Sequence, residues 1–158
     1  HLSIRRQRQM CIRDRACDIR IAAESAFIAT GYVRIALSGD YGIAWLLTQL
    51  VGTARARELM FTGEKIAATQ CERIGLVNRV VPDQRLQDEA FALARSLADG
   101  PALALQAMKD NLDDALGVDF DTARDREAER LVPLTMTADH REAVQAFVEK
   151  RKPIFNGN

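Results

Sequence analysis

One carboxylate, Asp40, stands alone in the stretch "RIALSGDYGIAWLL", Arg34 to Leu47, with small residues Ser38, Gly39 and Gly42 around it and an apolar run directly after. Two chemistries suit an acid in that place. As a helix N-cap it would accept backbone N–H bonds, a position that Asp favours. As a base it would move a proton, and burial against Leu37, Ile43 and Trp45 would strengthen it by disfavouring the charged form. Other routes to catalysis are thinly supplied. The two histidines are His1 and His140, so a nucleophile–histidine system would have to rest on His140, which reads as an exposed helix residue. The cysteines, Cys11, Cys17 and Cys71, are odd in number and widely spaced, which suggests neither a disulfide framework nor a metal site. Cys17 and Cys71 read as small buried hydrophobes, and Trp45 as a core residue.

The elements that must position Asp40 follow from periodicity. "CDIRIAA", Cys17 to Ala23, alternates Ile19 and Ile21 with polar residues and predicts a strand. "FIATGYVRIALS" predicts short extended pieces and a loop. From Tyr41 the period turns helical: Ile43, Leu46, Leu47 and Leu50 fall at i, i+3, i+4 and i+7. Gly52 should end that helix, Thr53 cap the next, and Gly63 stop it. "ATQCERIG" predicts a short helix and "LVNRVV" a buried strand closed by Pro82. The remainder is helical. Leu86, Ala90, Leu93, Ala94 and Leu97 form one stripe, and Ala104, Ala107, Met108, Leu112 and Ala115 form another. A third helix covers Phe120 to Leu131, with Pro133 to bend or stop it. A fourth opens at Asp139, with Glu142 completing a capping box and Ala143, Val144, Phe147 and Val148 on its apolar side. So few strands beside so many helices read as the end of a larger fold, because a small sheet needs further strands or a packing partner.

The 158 residues suffice for one domain with a moderate core; 47% are hydrophobic and 28% charged, an ordinary globular balance. No apolar run approaches the roughly 20 residues that span a bilayer, and no secretory signal is visible. A cytoplasmic protein without a membrane partner is expected. The first fifteen residues, "HLSIRRQRQMCIRDR", stand apart, with five arginines, one acid and no period. They could be a basic arm for nucleic acid. "MCIRDR" is also what one frame of a sequencing-transposon end encodes, so residues 1–15 are read as non-native sequence outside the fold. Setting them aside leaves 17 basic and 21 acidic residues, a net of −4. That balance argues against a nucleic-acid partner.

From Ala16 onward the chain resembles the crotonase superfamily of enoyl-CoA hydratases and isomerases. The resemblance is carried by "ACDIRIAAESAFIATGYVRIALSGDYG", "LVGTARARELMFTGEKI", "CERIGLVNRVVPDQRL" and "EAVQAFVEKRKPIF", in family order. It implies an α/β fold: the C-terminal half of a crotonase ββα core at residues 16–98, followed by a helical oligomerisation region at 99–158. It implies an enzyme acting on acyl-CoA thioesters and assembled as a homo-oligomer, a trimer or hexamer. No cofactor is implied, because CoA is part of the substrate. Two backbone N–H groups would surround the thioester oxygen and a carboxylate would carry the proton.

The resemblance also implies roles for single residues. The motifs that supply the oxyanion donors and the first hydratase glutamate lie upstream of "ACDIR" in the family and do not occur in this chain. Where a hydratase has its second glutamate, in a "PE" pair, this chain has "GY" and hence Tyr32. A phenol with a pKa of about 10 does not replace a carboxylate base at neutral pH. Asp40 matches the aspartate of isomerase-type branches, which can take a proton from one carbon of an enoyl thioester and return it two carbons away. Asp40 is therefore the catalytic candidate. Tyr32, Phe147 and Lys150 are the substrate-binding candidates, the last two by the "AFVEKRK" ending, an aromatic for the adenine and a cation for a CoA phosphate. From the residues alone, Tyr32 reads as a pocket wall or core aromatic, and Phe147 and Lys150 as a core aromatic and a solvated lysine three apart on one helix face. The alternative function, for these 158 residues as they stand, is a non-catalytic helical oligomerisation or binding module.

Overall fold

The computed structural model describes residues 17–158; the expectations placed on residues 1–15, and on His1 and Cys11, lie outside the described residues. The chain divides into two compact units, His1–Ala90 and Phe91–Asn158.

In the first unit, strand β1 (Ile21–Ala23) pairs in parallel with β4 (Arg79–Val81), in the register Ile21–Arg79, Ala22–Val80 and Ala23–Val81. Strand β2 (Phe27–Ile28) pairs antiparallel with β3 (Ile66–Ala67). A parallel pair needs a long crossover. Here the crossover contains helix α1 (Ile43–Thr62), β3 and helix α2 (Ala68–Arg73). The stripe predicted for α1 faces inward: Ile43 and Leu47 are buried, Leu46 and Leu50 half-buried. Leu47 meets Cys71 and Leu76, all fully buried, in a cluster with Ala22, Ile28, Val51, Leu59, Ile66 and Val77. Gly52 (φ 78, ψ 164) interrupts the helical backbone inside α1, and Gly63 (φ 59) ends it, its N–H donating to the Leu59 carbonyl at 3.0 Å.

Three expectations are corrected. The strand predicted from Cys17 begins only at Ile21, and its buried residue is Ala22, while Ile19 is exposed. At Arg20 the ladder is only half formed: its carbonyl accepts Asn78 N–H (2.9 Å), but its own N–H donates to Asn78 Oδ1 (2.8 Å) and its guanidinium to the carbonyls of Leu76 (2.8 Å) and Cys17 (2.6 Å). Cys71 is buried as expected, but Cys17 is exposed. Trp45 is 54% exposed, because it stands on the face of α1 opposite Ile43 and Leu47.

The division between the units falls within helix α3 (Leu86–Ala98). The second unit adds α4 (Ala102–Asp114), α5 (Phe120–Leu134) and α6 (Ala138–Glu149). Helices α4 and α5 are tied by charge. Asp114 accepts from Arg126 (2.7 Å) and Arg130 (2.6 Å), and Asn111 accepts from Arg130 (2.7 Å). The Arg130 hydrogen bond, more than the Arg126 contact, holds the Asp114 carboxyl below the usual range. Asp119 caps α5 by accepting from Thr122 N–H (3.0 Å), and Pro133 sits one residue from its end.

The predicted capping box on α6 is corrected. Thr137 is the N-cap, its hydroxyl oxygen accepting from His140 N–H at 3.1 Å. Asp139, 5% exposed, instead accepts the N–H groups of Asn156 (2.8 Å) and Gly157 (3.0 Å). Glu142 accepts Ile154 N–H (3.0 Å) and two bonds from Arg151 (2.5 and 2.9 Å). The acid-x-x-acid spacing thus holds the returning segment against α6 through the backbone N–H groups of Ile154, Asn156 and Gly157. Val144, Phe147 and Val148, predicted on the apolar side, are exposed, as are Met108, Leu112 and Leu116 of α4 and the turn after it. His140 is exposed, as expected.

Candidate functional site

Asp40 and Tyr32 are eight residues apart and meet. The Tyr32 hydroxyl donates to Asp40 Oδ1 at 2.5 Å. The connecting loop is built from tight local bonds. Residues Tyr32–Ile35 form a 3₁₀ turn, Tyr32 N–H donates to Thr30 O (2.7 Å), and Leu37 N–H returns to Tyr32 O (3.0 Å). Buried Thr30 anchors this turn to α1 through its hydroxyl, which donates to Leu59 O at 2.6 Å.

Backbone strain accompanies the loop. Ala36 (φ 56) and Tyr41 (φ 46) take the left-handed conformation, which costs a residue with a Cβ about 1–2 kcal/mol. Two glycines make the packing possible. At Gly39 (φ 111) a Cβ would lie 2.8 Å from Ile43 Cγ2, and at Gly63 one would lie 2.8 Å from Val33 Cγ1. A side chain at either position would force the facing Ile43 or Val33 methyl to shift. Strain of this kind persists where the surroundings over-determine it, and it concentrates at functional sites.

The cap reading of Asp40 is overturned. Gly42 is the N-cap of α1, with no side-chain cap bond; Asp40 contributes only its backbone carbonyl, which accepts Ile43 N–H at 3.0 Å. The expected burial is also absent. Ile43 is buried, but Asp40, Leu37 and Trp45 are exposed among the described residues. Tyr32 is half-buried, so it is not a core aromatic, and its hydroxyl is engaged. A carboxylate that neither caps a helix nor pairs with a described cation keeps its second oxygen available for chemistry.

Phe147 and Lys150 lie in the second unit. Phe147 is 85% exposed, which removes the core-aromatic reading. Lys150 is not on the helix face. It terminates α6 in the left-handed conformation (φ 55, ψ 38), its N–H donating to Phe147 O (3.2 Å) while Arg151 N–H reaches Ala146 O (3.0 Å). This is the Schellman closure, in which glycine is the usual residue. Arg151 holds the turn by bonding Glu142 and Glu149 (2.5 Å). The Arg151 hydrogen bond is the main reason that the Glu142 carboxyl is held down to about 2. Sequence reasoning missed this clasp. Its one signal was the spacing of Asp139 and Glu142, which reads equally well as a cap. Among the described residues no group of three His, Cys, Asp or Glu side chains stands together.

The profile of the family described as "Enoyl-CoA hydratase/isomerase" matches residues 13–158. A probable enoyl-CoA hydratase of Rhodobacter capsulatus is 39% identical over 142 residues, covering 90% of this chain and 55% of the relative. A 1,2-epoxyphenylacetyl-CoA isomerase of Escherichia coli is 38% identical over 140 residues, covering 89% and 53%. Among solved structures, a putative enoyl-CoA hydratase/isomerase from Mycobacterium abscessus superposes with a TM-score of 0.89 at 33% identity, covering 92% of this chain and 56% of that one. The chain spans about half the length of these relatives.

Proposed function

This chain belongs to the enoyl-CoA hydratase/isomerase family, with the α/β fold of the C-terminal part of a crotonase, and from that premise we propose that the protein isomerises enoyl-CoA thioesters with Asp40 as the proton carrier. The carboxylate takes a proton from one carbon of the enoyl chain and returns it two carbons away. Negative charge gathers on the thioester oxygen between the two transfers. Two aimed N–H donors stabilise such charge by about 3–4 kcal/mol each. The glycine triplet that carries one of them in the family is not in these 158 residues, so they alone turn over little or nothing. Phe147 and Lys150 contact the adenine and a phosphate of CoA, the cofactor-like part of the substrate, and Tyr32 lines the acyl site. The helices of Phe91–Asn158 assemble copies into a trimer or hexamer.

The observation that carries this reading is the placement of Asp40: an uncapped, exposed carboxylate held by a strained loop at the start of α1. Tyr32 in place of a second carboxylate supports isomerisation over hydration, which needs two acids to position water. In the full-length protein, Asp40→Asn keeps size and an oxygen that can accept the Tyr32 hydroxyl but removes the base. The expected result is a fall in kcat on 3-hexenoyl-CoA of about 10²–10⁴, with an unchanged melting temperature. Near-normal turnover would refute the assignment. The second reading, a helical assembly or binding module, is favoured by the outward apolar residues of α4 and α6. It describes the unit Phe91–Asn158, and turnover by the full-length protein separates the two.

A further inference from the structure

We propose that Tyr32 is a positioning residue that orients the Asp40 carboxylate, a role beyond lining the acyl site and one that rests on Asp40 being the proton carrier. An exposed aspartate rotates readily about its last side-chain bond, whose torsional preference is broad and two-fold. Asp40 is exposed, yet its Oδ1 accepts the Tyr32 hydroxyl proton at 2.5 Å. That bond selects one rotamer and turns Oδ2, which accepts no described hydrogen bond, toward the reacting carbon.

The orientation is transmitted from the core. Leu59 lies in the buried cluster, its carbonyl accepts the Thr30 hydroxyl, Thr30 O accepts Tyr32 N–H, and the Tyr32 hydroxyl reaches Asp40. Gly39 lets the other end of the loop seat against Ile43. Asp40 is therefore held from both sides, by backbone through Ile43 N–H and by side chain through Tyr32.

The bond survives the reaction. When a C–H bond breaks, its electron pair stays with the thioester as an enolate and its proton goes to Oδ2. Oδ1 then becomes a carbonyl oxygen and still accepts from Tyr32, whose own proton never moves. Return of the proton from Oδ2 to the more distant carbon restores the carboxylate. A donor that serves both protonation states fixes the geometry for both transfers, and misplacement of a reacting group by about 1 Å can cost about 10²-fold in rate.

Two measurements test this. In the 158-residue chain with Tyr41→Phe, Tyr32 is the only tyrosine. Its Raman Fermi doublet should report a strong hydroxyl donor and should change on Asp40→Asn or Asp40→Ala; an identical doublet overturns the inference. In the full-length protein, Tyr32→Phe should lower kcat on 3-hexenoyl-CoA about tenfold or more with KM moved less than about twofold, as expected when only transition-state geometry is lost. Tyr32→Phe/Asp40→Asn should be no slower than Asp40→Asn alone, the non-additivity of residues acting as a unit. A fully active Tyr32→Phe protein beside an inactive Asp40→Asn protein overturns this inference alone. Losses that multiply in the double variant do the same. An active Asp40→Asn protein overturns the proton-carrier reading and this inference with it.

Discussion

Leu47, Cys71 and Leu76 are fully buried in the unit that ends at Ala90, where eleven residues form one apolar cluster. In Phe91–Asn158 the buried described residues are Ala146 and Asp139, while Leu112, Phe120, Leu131, Met136, Phe147 and Val148 are all more than half exposed. The first unit is held by burial, which contributes about 25 cal/mol per Å² of apolar area removed from water. The second is held by caps and charge: Asp114 with Arg126 and Arg130, Glu142 with Arg151, and Asp139 with the segment that returns past it. Both carry apolar periodicity in sequence. A stripe at i, i+3, i+4 and i+7 announces a helix with an apolar face but not whether that face is covered within its own chain. Outward apolar residues on several helices are the surface that the proposed assembly would bury.

Truncation separates the units most strongly. Leu47→Ala should destabilise the first unit by about 3–5 kcal/mol, the cost of emptying a fully packed leucine site. Leu112→Ala should cost the 158-residue chain less than about 0.5 kcal/mol, since its side chain is 70% exposed. Denaturant melts of both variants check this. A large loss at Leu112 that grows with protein concentration would mean that its face is already covered by another copy.

Acid should act in the opposite order. Glu142, with an ordinary value of 4.5, is held down to about 2, and Asp114, Asp119 and Glu149 are also lowered, by Arg130, Thr122 and Gln145 first. In the first unit Asp83 alone is lowered among the described residues, by the Ser25 hydroxyl. A carboxylate whose folded value is depressed stabilises the fold above its unfolded value and loses that contribution as pH falls through the folded one. Helices α4 to α6 should therefore lose structure before the strand-bearing unit as pH drops from about 4.5 to about 2. Trp45 fluorescence follows the first unit and circular dichroism the helices of both, so an early loss of ellipticity before the Trp45 change marks the second, and Glu142→Gln should flatten that early phase. Coincident transitions would contradict the comparison.

The smallest effect expected is at Lys150. Lys150→Gly removes the left-handed strain and should stabilise α6 by about 1 kcal/mol or less. Lys150→Ala keeps the strain and should be neutral or slightly worse. Both should raise KM for acyl-CoA in the full-length protein and leave short pantetheine thioesters, which lack that phosphate, almost unaffected. Equal losses on both substrates would show that the residue matters for folding and not for phosphate contact.

Much of this was legible in the chain. The Ile43–Leu50 stripe, the break at Gly52, the stop at Gly63 and the short Cys71 helix depend on neighbours within a few residues, so local sequence predicts them. The Asp40 junction was legible as a place where chemistry could occur. Its hydrogen-bond partner was not, because a loop with Ala36 at positive φ folds Tyr32 onto Asp40, eight residues on, and no propensity predicts a non-glycine residue there. Asp139 and Glu142 were misread for the same reason: a carboxylate near a helix start can serve the helix or a returning segment, and spacing does not separate the two.

Residue order alone determined the family, the apolar periods, the glycine breaks and the presence of one acid and one phenol eight residues apart. Those are properties of adjacent residues and of side-chain chemistry. Folding in three dimensions decided which stripes are covered, which carboxylates hold backbone, that Lys150 closes a helix instead of riding on it, and that Tyr32 grips Asp40. Each of these depends on groups distant along the chain competing for the same donor, acceptor or apolar surface, and that competition is settled only when the chain has packed.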